Sequence, residues 1–317
     1  MRRFLFSSLL GLILAVRVFA EAPAVAGQRV LFLGDSITQD GRYVSYLEYY
    51  LHTAGQSCDL VSVGLSSETV SGLTEKSSAY PRPCILERVD RALKAVKPTV
   101  VFACYGMNDG IYHPSSPERL AAFTDGLHQL IAKVHAAGAK LVLITPPVFD
   151  PVPLAGKTVP VTAPDFGYGK IFYVGYDDVL AEFARAEVAL KVDGVTTIDL
   201  HTPMAAALAA RRAKDPAFTF ARDGVHPGDL GHLVMAHAVA AGLGLTVPSD
   251  SEAETELARL SSDPVFALVR ERRELRSEAW LPFVGYTLGT PFKSNSVKAA
   301  EKTVARLQQL IDAPAAK

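Results

Sequence analysis

Ser36 stands two residues beyond an apolar run, Val30-Leu31-Phe32-Leu33, that stops at Gly34. A hydroxyl placed there lies at the carboxyl edge of a sheet, where an α/β protein presents a nucleophile. Taken alone, Gly34-Asp35-Ser36 is also an ordinary turn after a strand. Three further stretches give it chemical meaning: Val63-Gly64, Gly106-Met107-Asn108-Asp109 and Asp223-Gly224-Val225-His226. With Ser36 they supply, in chain order, a nucleophile, a backbone donor, a side-chain amide donor and an acid/base pair. That set suits ester cleavage, because a serine oxygen needs a base to take its proton and donors to hold the oxyanion that forms.

With these four blocks the chain resembles the SGNH hydrolases, also called the GDSL family, over roughly residues 28 to 243. The resemblance implies a three-layer, flavodoxin-like α/β sandwich around a central parallel five-stranded sheet. It also implies an acyl-serine intermediate and a broad substrate range, from carbohydrate deacetylases to lipases, arylesterases and thioesterases.

Of eight histidines, His226 is the expected base. Asp223, three residues earlier, lets one turn of backbone hold a carboxylate against the imidazole and fix its tautomer. His52, His128, His135, His232 and His237 fall on predicted helices without such a partner, and His201, just after a strand, is the nearest competitor. The expected oxyanion hole uses the backbone amides of Ser36 and Gly64 and the side chain of Asn108, each donor worth about 10²- to 10³-fold in rate. Gly64 follows the second strand as the resemblance requires, although Ser66 or Ser67 could shift the register. Glycine suits that position by leaving room for an acyl group. Asp35 and Asp109 are read as turn and loop ties through Asx hydrogen bonds. Tyr105, Tyr112 and His113 flank Asn108 and are candidate pocket walls. No glycine-rich phosphate cradle or ordered set of metal ligands occurs, so neither a metal nor a cofactor is implied.

The elements that must position these groups alternate between strand and helix at 30 to 40 residue spacing, which implies a parallel sheet covered on both faces. Strands are expected at residues 30–34, 58–63, 98–105, 140–145 and 195–200. Helices are expected at 43–53, 85–96, 117–137, 179–192, 203–213 and 230–243. Right-handed crossovers bring the carboxyl ends of all strands to one edge, so Ser36, Gly64 and Asn108 converge there. Residues 65–83 read as an irregular loop near the site. Residues 149–168, broken by prolines and glycines, read as either a lid or substrate wall or a plain surface insertion. Beyond Ser249 the pattern turns helical, with an apolar knot at Trp280-Leu281-Pro282-Phe283-Val284-Gly285-Tyr286 expected to dock on the main domain, or else to serve binding or dimerisation.

The organisation expected is a signal peptide over 1–20, a hydrolase domain over 28–245 and a helical extension over 250–317. Arg2 and Arg3, the apolar Phe4 to Val16 and the small-residue site Val18-Phe19-Ala20 make the leader, and export to the periplasm or beyond follows from it. No stable membrane span is expected after cleavage. In 317 residues 49 % are apolar and 21 % charged, with a net charge of −1, which gives no reason to expect a nucleic-acid partner. Cys58, Cys84 and Cys104 are the three cysteines; a Cys58 to Cys84 disulfide is open, and Cys104 reads as a buried thiol. The partner expected is a small-molecule or polysaccharide ester, and oligomeric state is not legible.

The reading that results is a secreted serine hydrolase of short-acyl, chiefly acetyl, esters on carbohydrate. A lysophospholipase or general short-chain esterase is the alternative, and an acetyltransferase would use the same residues. A glycan- or partner-binding protein without turnover is the contrasting class.

Overall fold

The computed structural model describes residues 24–169, 171–285 and 297–313. The leader expected over residues 1–20 lies outside the described residues, as does Tyr286 of the apolar knot.

Five strands form one parallel sheet: β1 (Arg29–Gly34), β2 (Asp59–Ser62), β3 (Val100–Cys104), β4 (Lys140–Ile144) and β7 (Val195–Ile198), in the order β2-β1-β3-β4-β7. This is the flavodoxin-like order, with its reversal between β1 and β3. β1 beyond Arg29 and all of β3 are apolar because helices cover both faces of the sheet, and every residue of β3 is buried. Gly34 pairs with Cys104, and Phe32 with both Ser62 and Phe102. That register ends the three strands within two residues of one another, so the segments after them open onto one edge.

Helices α2 (Arg42–Thr53) and α7 (Asp229–Gly242) pack together on one face. On the other lie α3 (Val89–Val96), α4 (Pro117–Ala136) and α5 (Tyr176–Ala189), with α6 (His201–Arg212) between α5 and α7. α4 begins as its sequence suggests: Pro117 occupies the first turn and the Ser116 hydroxyl accepts from the Arg119 N–H. No helix among the described residues is long and apolar enough to cross a membrane.

Two local expectations need correction. A short helix, α1 (Ser36–Asp40), intervenes between β1 and α2; Asp35 caps it by accepting from Ile37 N–H at 2.9 Å. Gly41, at φ +71°, reverses the chain between α1 and α2, a backbone state a side chain would strain. The 149–168 segment is not wholly irregular, since β5 (Thr158–Val159) pairs in parallel with β6 (Phe172–Tyr173). All three cysteines are free.

The tail departs furthest from its pattern. α8 (Ala253–Ser261) is followed by α9 (Pro264–Gly285), which runs straight through Pro282, so the expected knot is helical. Trp280, Leu281 and Val284 are buried, and α10 (Val297–Ile311) lies along α9 with Ala300, Val304, Leu307 and Ile311 inward. Within the charged run 270–276 three arginines turn inward while Arg270, Glu271 and Glu274 stay exposed: Arg272 donates to Glu48 at 2.6 Å, Arg273 to the Ser45 hydroxyl at 3.0 Å and Arg276 to the Leu60 carbonyl at 2.9 Å. α9 thereby covers the β2 edge of the sheet, which would otherwise present unpaired backbone groups.

Candidate active site

The end of β1 and the start of α1 put Ser36 at a helix N-terminus, where its backbone N–H is one of the orphan donors. Its hydroxyl lies 2.8 Å from His226 Nε2. His226 Nδ1 lies 2.7 Å from Asp223 Oδ2, while Asp223 Oδ1 accepts from the Val225 and His226 N–H groups at 3.0 and 2.8 Å. The carboxylate is thus held by the same turn that carries the histidine, and Nδ1 donates to it. Nε2 is left to accept the Ser36 proton.

Charge in this pair follows from the contacts. Burial alone would raise Asp223, but the imidazole and the two backbone donors outweigh it and bring its pKa to about 2. Burial alone would lower His226, but the bond to Asp223 and its charge hold it above the ordinary imidazole value. The imidazole therefore gives up its proton at a higher pH than an unpaired histidine would. Asp35, fully buried beside Ser36, is raised by burial to about 7.

Gly64 follows β2. Val63 N–H donates to the Phe32 carbonyl and Leu65 N–H to the Gly34 carbonyl, so strand alternation turns the Gly64 N–H away from β1. The reason for glycine differs from the expected one: a Cβ here would sit 2.4 Å from Gln39 N and 2.5 Å from the Thr38 carbonyl carbon. The close neighbour is the backbone of α1, not an incoming acyl group. Ser66 N–H is taken by the Gln39 side chain at 2.6 Å, which separates it from the Gly64 role.

Asn108, buried four residues past β3, has its amide orientation set by its neighbours. Its Oδ1 accepts from Arg82 and from the Tyr112 hydroxyl, each at 3.0 Å, and its Nδ2 donates to the Glu68 carbonyl at 3.2 Å. One Nδ2–H remains without a partner among the described residues. Asp109 ties the loop, accepting from the Val70, Ser71 and Gly106 N–H groups at 2.8 Å.

Two expected pocket walls are not walls. Tyr105 is buried with its hydroxyl on Glu68 at 2.7 Å, and Tyr112 is fully buried and holds Asn108 from behind. Both point into the core because β3 and its following turn are covered on each side. His113 is partly exposed, with Nδ1 on the Ile111 carbonyl and its ring beside Phe166. Among the other histidines, His201 opens α6 and faces Asp177 at 3.9 Å. His232, expected to lack a carboxylate, lies 3.4 Å from Asp40; burial dominates and lowers it to about 3, so it stays neutral.

Arg82 and Glu75 belong to this network and carry no sequence signal beyond lying in the 65–83 loop. Glu75 receives two guanidinium bonds at 2.6 and 2.7 Å, and both side chains are buried. Behind them Arg88 pairs with Glu68 at 2.6 Å. Among the described residues no group of three His, Cys, Asp or Glu side chains is placed to hold a metal ion.

The GDSL-like lipase/acylhydrolase family model matches residues 32–234. Curated proteins include no match. Among solved structures, acetylxylan esterase Axe2 from Geobacillus stearothermophilus shares 22 % identity over 72 % of this chain and 100 % of its own, with a TM-score of 0.46. A protein described as a GDSL-like lipase from Parabacteroides merdae shares 18 % identity over 71 % of this chain and 100 % of its own, with a TM-score of 0.48.

Proposed function

Since the chain belongs to the GDSL-like lipase/acylhydrolase family and is a carboxylic ester hydrolase, we propose that it acts through an acyl-Ser36 intermediate on short-acyl, chiefly acetyl, esters of carbohydrate, as an exported enzyme. The observation that carries the mechanism is the unbroken contact from Ser36 Oγ through the His226 ring to Asp223, 2.8 and 2.7 Å long.

In the acylation step Ser36 Oγ attacks the ester carbon as its proton passes to His226 Nε2. The N–H groups of Ser36 and Gly64 and the open Nδ2–H of Asn108 receive the oxyanion. Collapse of the tetrahedral adduct expels the alcohol, which takes the proton from Nε2. Water, deprotonated by the same nitrogen, then attacks the acyl-serine; as this second adduct collapses, Nε2 returns the proton to Ser36 Oγ and the acid leaves. Asp223 stays ionised throughout and stabilises the imidazolium.

A short acyl group is supported by the ground beyond Asn108, where Arg82, Glu75 and Glu68 are buried and charged. A long aliphatic chain directed there would have to displace a buried, hydrogen-bonded ion pair. Export rests on the leader pattern of residues 1–20. A carbohydrate alcohol rests on that export together with the chain's weak negative charge.

The deciding experiment compares the mature chain with Ser36→Ala on p-nitrophenyl acetate, p-nitrophenyl butyrate and acetylated xylan. Turnover by the parent, falling by about 10⁴-fold or more in the variant, is the expected result. Equal rates for parent and variant on all three would overturn the acyl-serine mechanism. Preference for butyrate over both acetyl substrates would overturn the short-acyl reading.

A further inference from the structure

Tyr168 closes the 149–168 segment and is 46 % exposed, yet it is firmly held. Its N–H donates to Glu75 Oε1 at 3.3 Å, and its ring packs on Tyr112 and Phe172 with centroids 5.5 and 5.8 Å apart. The same ring meets the His226 imidazole edge-on at 6.3 Å. Burial raises its phenol above the ordinary value, and the charge of the Asp223 carboxylate adds to that rise.

The chemistry assigns this ring a side of the substrate. The leaving oxygen must come within hydrogen-bond reach of His226 Nε2 to be protonated, so the carbons of the alcohol lie beside the imidazole. A rigid aromatic ring adjoining that imidazole, apolar in body and hydroxylated at its tip, borders the same space. Aromatic faces pack well on the C–H faces of saturated rings, and a phenol hydroxyl can meet their substituents.

Building on the ester-hydrolase reading above, we propose that Tyr168 is a specificity residue that receives a ring of the ester's alcohol moiety, a sugar ring in carbohydrate acetates. It takes no part in proton transfer, so its loss weakens alcohol binding and leaves the acyl chemistry intact.

The test measures kcat and KM of the parent, Tyr168→Ala and Tyr168→Trp on ethyl acetate, cyclohexyl acetate and acetylated xylo-oligosaccharide. For Tyr168→Ala the expected result is a rise in KM of about 5- to 10-fold on the two ring-bearing alcohols, the size of one lost aromatic contact. kcat on those substrates, and kcat/KM on ethyl acetate, should stay within about twofold of the parent, and Tyr168→Trp should restore KM. Equal loss on ethyl acetate would overturn the proposal by showing a merely structural role, as would unchanged KM on cyclohexyl acetate. A parent that hydrolyses cyclohexyl acetate but no sugar acetate refutes the carbohydrate reading alone, and the ethyl-to-cyclohexyl comparison then decides the role of Tyr168.

Discussion

At the carboxyl edge of the sheet Arg82 pairs with Glu75 at 2.6 Å and extends another guanidinium bond to Asn108. Beneath α9 Arg272 pairs with Glu48, also at 2.6 Å, and goes no further; the second Glu48 oxygen is buried without a partner among the described residues. All four charged side chains are more than nine-tenths buried. Burial of charge therefore does not distinguish the reactive region from the docked helix. What distinguishes them is where the network ends: one ends on an amide with a donor to spare, the other within a helix interface. A buried ion pair recovers its desolvation cost only through geometry, and here the geometry serves preorganisation in one place and the seating of α9 in the other.

Three substitutions sharpen that contrast. The largest effect is expected from Asp223→Asn, which leaves the turn in place but favours the wrong imidazole tautomer, so kcat should fall on the order of 10⁴-fold. Its pH profile carries the sign. Because Asp223 raises the His226 pKa, the acid limb of kcat/KM for the parent should lie above 6.5, and it should move down in the variant. In stability terms the raised histidine contributes below its ordinary value and loses that contribution as pH rises through the folded one. The lowered Asp223 contributes above 3.8 and loses that contribution as pH falls toward about 2.

Next in size is Arg272→Met. It strands Glu48, whose carboxyl burial already pushes upward, and should cost about 3–5 kcal/mol in chemical denaturation without changing kcat. Replacing both partners, Glu48→Leu with Arg272→Met, should recover most of that loss. A drop in kcat with retained stability would break the comparison, because α9 would then serve the chemistry. The smallest effect is expected from Asn108→Ala, at about 10²- to 10³-fold in kcat, with KM for p-nitrophenyl acetate nearly unchanged. If Asn108→Ala instead lowers the denaturation midpoint and spares kcat, the amide is a structural tie like Asp109.

Much of the sheet was legible because its signal is local. Largely apolar runs ending at Gly34, before Gly64 and before Gly106 suit strands of a parallel sheet covered by helices, and alternation with helices then fixes where their ends gather. The Asp223 to His226 pair was legible for the same reason, since three residues of one turn suffice to bring carboxylate and imidazole together. Nothing local could show that Arg82 would reach Asn108 across 26 positions, or that Tyr105 and Tyr112 would turn inward. Nor could it show that the charged run of α9 would face β2 and α2, since an arginine-rich helix pattern is satisfied equally by water or by a distant carboxylate. Spacing along the chain determined the order of Ser36, Gly64, Asn108 and the Asp223–His226 pair and the edge they share. Which donors stay open, which charges are buried and which aromatic ring stands beside His226 were decided by contacts between segments far apart in sequence, because those contacts exist only once the sheet and its covering helices have assembled.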